Sequence, residues 1–174
     1  GFNKTTMISP IHAALLSSVI ANKGIIKYPF IISKLTDKKN SELLVEPTLL
    51  KKRVIKSSTS ELISKAMENT IKKGTARKSF KRLDRFLKEQ LKIGGKTGSI
   101  TGGIPFGKRD WFSAFAIPKN KQLGEGISIS VMNINVDKWF VRSAYLAKEV
   151  IDFYYKEINP LKKVITSLNN KKSE

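Results

Sequence analysis

Apolar residues change from helical spacing to strand-like spacing near residue 93, alternate strictly over residues 127–134, and return to helical spacing near residue 138. The first helical pattern predicts a helix over residues 9–24. Ser9 suits its N-cap, Pro10 its first position and Gly24 the left-handed residue after its end. His12 is the only histidine; it falls in the first turn, and we expect it at the surface.

Residues 25–47 carry a pattern of short strands. Two apolar runs, residues 28–32 and 43–45, flank the polar stretch 36–40, which predicts a hairpin. Pro29 and Pro47 offer no backbone N–H to a neighbouring strand. We therefore expect the hairpin at an edge or at the periphery of the fold.

Two more helical patterns precede the alternation. Ser58 and Glu61 have the spacing of a capping box and Gly74 suits a helix end, which predicts a helix over residues 59–73. Its expected buried stripe comprises Leu62, Ile63, Ala66, Met67, Thr70 and Ile71. After a turn at residues 75–77, helical spacing recurs, with an expected solvated basic face opposite the apolar residues Phe80, Leu83, Phe86, Leu87 and Leu91.

The pattern then predicts three strands, over residues 93–101, 109–117 and 127–134, of which the last alternates strictly. Because glycine-rich turns join them in sequence, an antiparallel meander is the natural arrangement. A last helix, predicted over residues 138–158, would cover one side of the sheet. The fold class is α+β, with residues 1–159 in one folded unit and residues 160–174 as a basic, flexible tail.

The composition limits the classes of partner and of chemistry that the chain can have. An apolar content of 40% is typical of a globular domain, and no apolar run is long enough to span a bilayer. The net charge of +19 favours anionic partners, but it comes mostly from dispersed lysines with few interleaved aromatics. We therefore predict a solvated basic surface and no nucleic-acid partner. The lack of cysteine excludes disulfides, thiolate metal sites and a cysteine nucleophile.

The candidate chemistry lies on the first of the three strands, in Lys96, Thr97, Gly98 and Ser99. On a strand, Thr97 and Ser99 share one face, where two hydroxyls can bind one carboxylate, and Lys96 lies on the other. An ammonium group there supplies positive potential and can take part in proton transfer. A phosphate-loop interpretation fails because a strand, and not a helix, follows the lysine.

These residues in their setting resemble the transpeptidase domain of penicillin-binding proteins, which carries Ser-x-x-Lys, Ser-x-Asn/Asp and Lys-Thr-Gly elements. The third element matches at residues 95–99, and the two following strands match at residues 110–116 and 127–135. Upstream, residues 6–10 and 21–24 match a family helix, and residues 74–76 match the turn before the third element. The order and spacing agree over most of the chain.

The resemblance implies a division of roles. The 174 residues contain no Ser-x-x-Lys, and Ser167-Leu168-Asn169 follows the third element instead of preceding it. We therefore expect the C-terminal portion of such a domain, an incomplete half of the fold that is inactive alone. The resemblance assigns catalysis to Lys96 and substrate binding to Thr97, Gly98 and Ser99, with the nucleophilic serine elsewhere in the complete protein.

The implied activity is cross-linking of peptidoglycan stem peptides by a serine-type DD-transpeptidase. The alternatives are a catalytically inactive domain that binds peptidoglycan or beta-lactams, and a carboxypeptidase or beta-lactamase relative. A basic nucleic-acid-binding module is a third alternative, favoured only by the charge. The implied partners are stem peptides, beta-lactam antibiotics and the remainder of the transpeptidase domain, without cofactor or metal. The expected location is extracytoplasmic, with membrane attachment only through an N-terminal anchor outside this sequence.

Overall fold

A computed structural model describes residues 7–30, 35–36, 42–43, 51–136, 138, 140–161 and 165. Within this part, five α-helices are α1 (Pro10–Ala21), α2 (Ser57–Lys72), α3 (Arg77–Phe80), α4 (Arg85–Gln90) and α5 (Ser143–Phe153). Seven strands are β1 (Ile25–Lys27), β2 (Leu35–Thr36), β3 (Glu42–Leu43), β4 (Lys51–Arg53), β5 (Leu91–Gly102), β6 (Gly107–Pro118) and β7 (Ile127–Asn135). A 3-10 turn (Lys121–Leu123) follows β6, and a π-helical turn (Tyr154–Ile158) follows α5.

The three long strands form an antiparallel sheet in the order β5-β6-β7. The predicted meander and the α+β class are confirmed, and each strand extends one or two residues beyond at least one predicted end. In the register, Lys96 lies opposite Ser113, which in turn lies opposite Ser130. This register gives every side chain of β5 a defined face.

Helices pack against both faces of the sheet. On one face, Phe112 belongs to a core shared with α3, α4 and α5, where its ring lies 5.8 Å from the ring of Phe80. On the other face, the Ser113 hydroxyl donates a hydrogen bond of 2.7 Å to the Ala13 carbonyl oxygen of α1. Ser17 of the same helix lies 2.6 Å from Ser113, oxygen to oxygen. The sheet therefore lies between two layers of helices.

The predicted first helix is confirmed. Its first residue is Pro10, and the Ser9 hydroxyl accepts a hydrogen bond from the backbone N–H of exposed His12. The helix ends at Ala21, and Gly24 has a φ of +85°. The left-handed residue expected after the helix is therefore present.

The predicted start of α2 is wrong. The helix begins at Ser57, its N-cap is Lys56, and no side chain caps it, so Ser58 and Glu61 form no capping box. A capping box needs non-helical dihedral angles at its first residue, and Ser58 lies inside the helix.

The predicted buried stripe of α2 is also wrong in part. Leu62 is 70% exposed, whereas Ser60 and Ser64 are buried together with Met67. The physical reason is close packing against α1: the Ser60 hydroxyl donates a hydrogen bond of 2.8 Å to the Ile20 carbonyl oxygen. Small side chains allow that approach, and hydrophobic spacing alone carries no sign of it.

The helix predicted through residues 80–91 is divided into α3 and α4, and Leu91 already belongs to β5. Asp84 starts α4 as its N-cap, where its carboxylate accepts a hydrogen bond of 3.3 Å from the Leu87 N–H. The misleading spacing arose because Phe80 of α3, Leu83 of the turn and Leu87 of α4 all enter the same core.

The ribbon after α1 pairs β1 with β4 and β2 with β3, both antiparallel. Thr36 lies opposite Glu42, so β2 and β3 are antiparallel neighbours as a hairpin requires, and residues 37–40 of the predicted turn lie outside the described part. Residues 28–30 are not in a strand, and the remaining predicted strand residues, 31, 32, 44 and 45, lie outside the described part.

The last helix begins at Ser143, later than predicted, and the π-helical turn continues it to Ile158. Tyr155 is buried there, and its hydroxyl donates a hydrogen bond of 2.9 Å to the Ala116 carbonyl oxygen; burial raises the pKa of this phenol. Leu161 is fully buried in the core. The boundary near residue 159 stays a prediction, because most of residues 160–174 lie outside the described part.

Two buried glycines precede the site residues on β5. A Cβ atom at Gly94 would lie 2.5 Å from Cζ of Phe115, and one at Gly95 would overlap the ring of Phe112. Both rings are fully buried and lie on opposite faces of the sheet. The glycines therefore allow two aromatic rings to pack directly against the strand backbone.

Replacing Gly95 by alanine should overpack this contact. We expect Gly95→Ala to lower the free energy of unfolding by about 1–3 kcal/mol, measured by denaturant titration. Thr101→Ala, at an exposed position of the same strand, should change it by less than about 0.5 kcal/mol. The loss should shrink in a Phe112→Leu background, and an equal loss in both backgrounds would contradict the overlap with this ring.

Candidate functional site

The candidate site lies on β5, which forms one edge of the three-stranded sheet among the described strands. Thr97 lies opposite Phe112, and Ser99 lies opposite Asp110, so the two hydroxyl side chains share a face. Lys96 lies opposite Ser113 and belongs to the other face. The structure thus brings the four predicted residues together on one edge strand, with the lysine and the hydroxyls on the faces predicted for them.

A turn between α2 and α3 orients the first hydroxyl. The side-chain oxygens of Thr75 and Thr97 lie 2.9 Å apart, within hydrogen-bond distance. Sequence reasoning placed residues 74–76 in a turn before the site but gave Thr75 no role. The signal available was the position of that turn; the contact itself depends on how α2 packs against β5.

Lys96 borders a cleft of about 750 Å³ between α1 and the sheet. Its ammonium group donates a hydrogen bond of 2.7 Å to the Thr97 carbonyl oxygen, and its side chain is exposed. The cleft lining is mainly apolar and includes Leu16, Ile20, Met67 and Trp111. The charged groups of this lining are Lys96 and Arg109, so the cleft has a positive potential suited to an anionic group.

Arg109 fixes the turn that follows the site strand. Its guanidinium donates hydrogen bonds to the carbonyl oxygens of Ile104 at 3.4 Å and Pro105 at 3.2 Å. The side chains of Ile104 and Phe106 are 98% and 70% exposed at the tip of this turn. The arginine thus ties the end of the cleft to the β5–β6 connection.

Asp110 joins the site strand to the start of α5. It is buried opposite Ser99, and its carboxylate accepts a hydrogen bond of 2.7 Å from the Ser143 N–H. In return, the Ser143 hydroxyl donates to the Asp110 carbonyl oxygen at 2.5 Å. A carboxylate is favourable at a helix N-terminus, where the free N–H groups carry positive partial charge.

Removing this carboxylate should destabilise the fold in two steps. We expect Asp110→Asn to cost about 0.5–2 kcal/mol, because it loses the charge but keeps an acceptor. Asp110→Ala should cost more, about 1–3 kcal/mol, because the Ser143 N–H then stays buried without a partner. Denaturant titration measures both, with exposed Glu125→Gln as the neutral control. Equal stability of all four proteins would exclude this role.

Two further features bear on the class of site. Within the described residues, no group of three or more His, Asp or Glu side chains could hold a metal ion. Of the helices that the structure describes, none is both long enough and apolar enough to cross a membrane.

Residues 1–131 match the family model of the penicillin-binding protein transpeptidase domain. The match spans well over half of the 174 residues, so the chain belongs to this family. A comparison with curated proteins gave no match.

Several solved structures share the fold. Penicillin-binding protein 3 from Mycobacterium tuberculosis is 16% identical with a TM-score of 0.68, over 90% of this chain and 37% of its own. Penicillin-binding protein A from M. tuberculosis is 19% identical with a TM-score of 0.64, and the match covers 86% of this chain and 31% of that protein. Penicillin-binding protein 2B from Streptococcus pneumoniae is 18% identical with a TM-score of 0.63, and the match covers 85% of this chain and 25% of that protein. The chain thus spans about a third of the length of these relatives and is a partial transpeptidase domain.

Proposed function

We propose that this chain forms the substrate-binding wall of a serine-type DD-transpeptidase that cross-links peptidoglycan stem peptides. The observation that carries the proposal is the edge strand β5, whose residues Lys96, Thr97, Gly98 and Ser99 all line one positively charged cleft, with the lysine and the two hydroxyl side chains on alternate faces of the strand. The family membership supports the reaction class. The nucleophilic serine comes from another part of the complete protein.

The reaction proceeds through an ester intermediate. The serine oxygen attacks the carbonyl carbon between the two terminal D-alanines of a donor stem peptide. The amide C–N bond breaks, and the terminal D-alanine leaves as its amine after accepting a proton. The amine of a neighbouring stem peptide then attacks the ester, forms the cross-link amide and regenerates the serine hydroxyl.

Each residue of the wall has a proposed role. Thr97 and Ser99 hold the terminal carboxylate of the donor through hydrogen bonds from their hydroxyl groups. These bonds are strong because the acceptor is charged. Thr75 positions the first of these hydroxyls at 2.9 Å. Lys96 supplies positive potential and serves the proton-transfer network, and Gly98 lets the substrate approach the backbone. The Ser99 N–H forms half of the oxyanion hole.

The cleft beside Lys96 is the proposed seat of the segment that carries the nucleophile. Its apolar lining includes Met7 and Leu16, which are 88% and 52% exposed. A second part of the domain packed there would cover apolar surface and bring a serine to the edge of β5. The complete protein would act outside the cytoplasm, where peptidoglycan is cross-linked.

Beta-lactams are the proposed inhibitors because they acylate the same serine. The related penicillin-binding protein A was solved as an imipenem acyl-enzyme, and the related penicillin-binding protein 3 was solved with ampicillin and with aztreonam. The acidic group next to the lactam nitrogen of these drugs would occupy the place of the D-alanine carboxylate on Thr97 and Ser99.

The 174-residue chain alone should not react covalently with a fluorescent penicillin, because it contains no Ser-x-x-Lys. The longer protein that includes such an element should be labelled at its serine, as seen by gel fluorescence and intact mass. Covalent labelling of a serine within the 174 residues would contradict the assignment of the nucleophile, and absence of labelling in the longer protein would contradict the enzyme.

Substitutions on the wall should slow acylation of that longer protein. We expect Lys96→Ala to reduce the second-order rate constant by roughly 10²–10³-fold, as for loss of one group that stabilises the transition state. Ser99→Ala should reduce it by roughly 10–100-fold, since it removes a hydrogen bond to a charged group. Lys121→Ala, an exposed lysine after β6, should leave it unchanged. Unchanged rates in both wall variants would exclude the proposed roles.

Products distinguish the alternatives. Cross-linked dimers from stem peptides supplied with an acceptor amine indicate a transpeptidase. Release of D-alanine without dimers indicates a carboxypeptidase, and rapid turnover of penicillin indicates a beta-lactamase. Reversible binding without any product indicates an inactive binding domain.

A further inference from the structure

A second cleft, of about 600 Å³, lies outside the candidate site, among α2, α3, α4 and the start of β5. Its lining has two kinds of side chain. Five are cationic: Lys72, Arg77, Lys78, Lys81 and Lys88. The other five are apolar: Ile71, Phe80, Leu83, Leu91 and Ile93. No carboxylate belongs to this lining, so the cleft combines an apolar floor with an entirely cationic rim.

The rim charges are largely uncompensated. Lys72 pairs with Glu68 at 3.0 Å, and the Lys88 ammonium donates to the Lys81 carbonyl oxygen at 2.7 Å. Arg77 and Lys78 are exposed on α3 and form no ion pair with a carboxylate of the described residues. A concave surface lined by charges of one sign with apolar walls concentrates the field and attracts an opposite charge.

The break between α3 and α4 creates this arrangement. A continuous helix through residues 77–90 would place its basic residues on one convex, solvated face. Because the chain turns at residues 81–84, the basic side chains of α3 and α4 meet those of α2 around one opening. Basic residues that are close in sequence thus surround one concave opening.

We propose that this cleft docks an acidic peptide segment of a partner protein, with an apolar side chain inserted between the cationic residues. The apolar floor favours a peptide over a plain polyanion, which would use only the rim. The volume suits one or two side chains of a short segment. Neither a second copy nor the tail of this chain fits, because the chain carries +19 and residues 162–174 hold four lysines against one glutamate.

The docking cleft borders the turn that orients the site. Lys72 and Arg77 line the cleft on either side of Thr75, whose hydroxyl contacts Thr97 at 2.9 Å. A docked segment would therefore contact the chain on both sides of the residue that positions a substrate-binding hydroxyl. The docking itself does not depend on the proposed enzymatic activity.

Fluorescence anisotropy tests the proposal with three labelled peptides and the full 174-residue chain. The first peptide is Glu-Asp-Glu-Leu-Phe-Asp-Glu-Glu; the second has serine in place of both apolar residues; the third has glutamine and asparagine in place of the acids. We expect the first to bind and each of the others to bind at least about tenfold more weakly, because both the charge and the apolar anchor contribute. Equal binding of the first two peptides would show a plain polyanion surface and overturn the proposal.

A matched pair of variants locates the binding. Arg77→Glu combined with Lys78→Glu reverses two rim charges at exposed positions and should weaken binding of the first peptide by more than about tenfold. Lys51→Glu combined with Lys52→Glu makes the same change of net charge on β4, outside the cleft. This variant should weaken binding of the first peptide by less than about threefold, because salt screens charges that lie far from the cleft. Equal losses in the two double variants would assign the effect to net charge alone and exclude the cleft.

Discussion

The packing of two phenylalanine rings against the backbone of β5 is the constraint on which the rest of the site depends. Phe115 lies over Gly94 on one face and Phe112 over Gly95 on the other, so the strand is clamped immediately before Lys96. The register with β6 then determines which face each following side chain takes. A strand fixed in this way can present a lysine to one layer and two hydroxyls to the other without a loop to position either.

Sequence reasoning found the elements whose signals are local. The change of pattern near residue 93 located the three strands, and Ser9 and Pro10 located the start of α1, because strand patterns and helix caps depend on residues close in sequence. It failed where a contact between distant segments decided the outcome. The buried face of α2 includes Ser60 because that hydroxyl reaches the Ile20 carbonyl oxygen of another helix, and no periodicity signals such a contact.

The candidate site shows the same division. Lys96, Thr97 and Ser99 were recognisable as a motif with alternate faces, and the register agrees with that arrangement. Thr75 was missed because its role depends on a 2.9 Å contact across 22 positions of sequence. The break at Asp84 had a signal, since an N-cap residue stood inside the supposed helix, but the regular apolar spacing concealed it.

The layered arrangement has a consequence for how the site is assembled. Lys96 faces the layer of α1, Thr97 contacts the turn after α2, and the strand neighbour of Ser99 is Asp110, which caps α5. Three separate helical elements thus surround the site residues, although these residues are adjacent in sequence. Each of those elements is already packed against the sheet within this chain. The proposed binding wall is therefore preformed within this chain, and a segment that carried the proposed nucleophile would dock onto an existing surface without refolding of the strand.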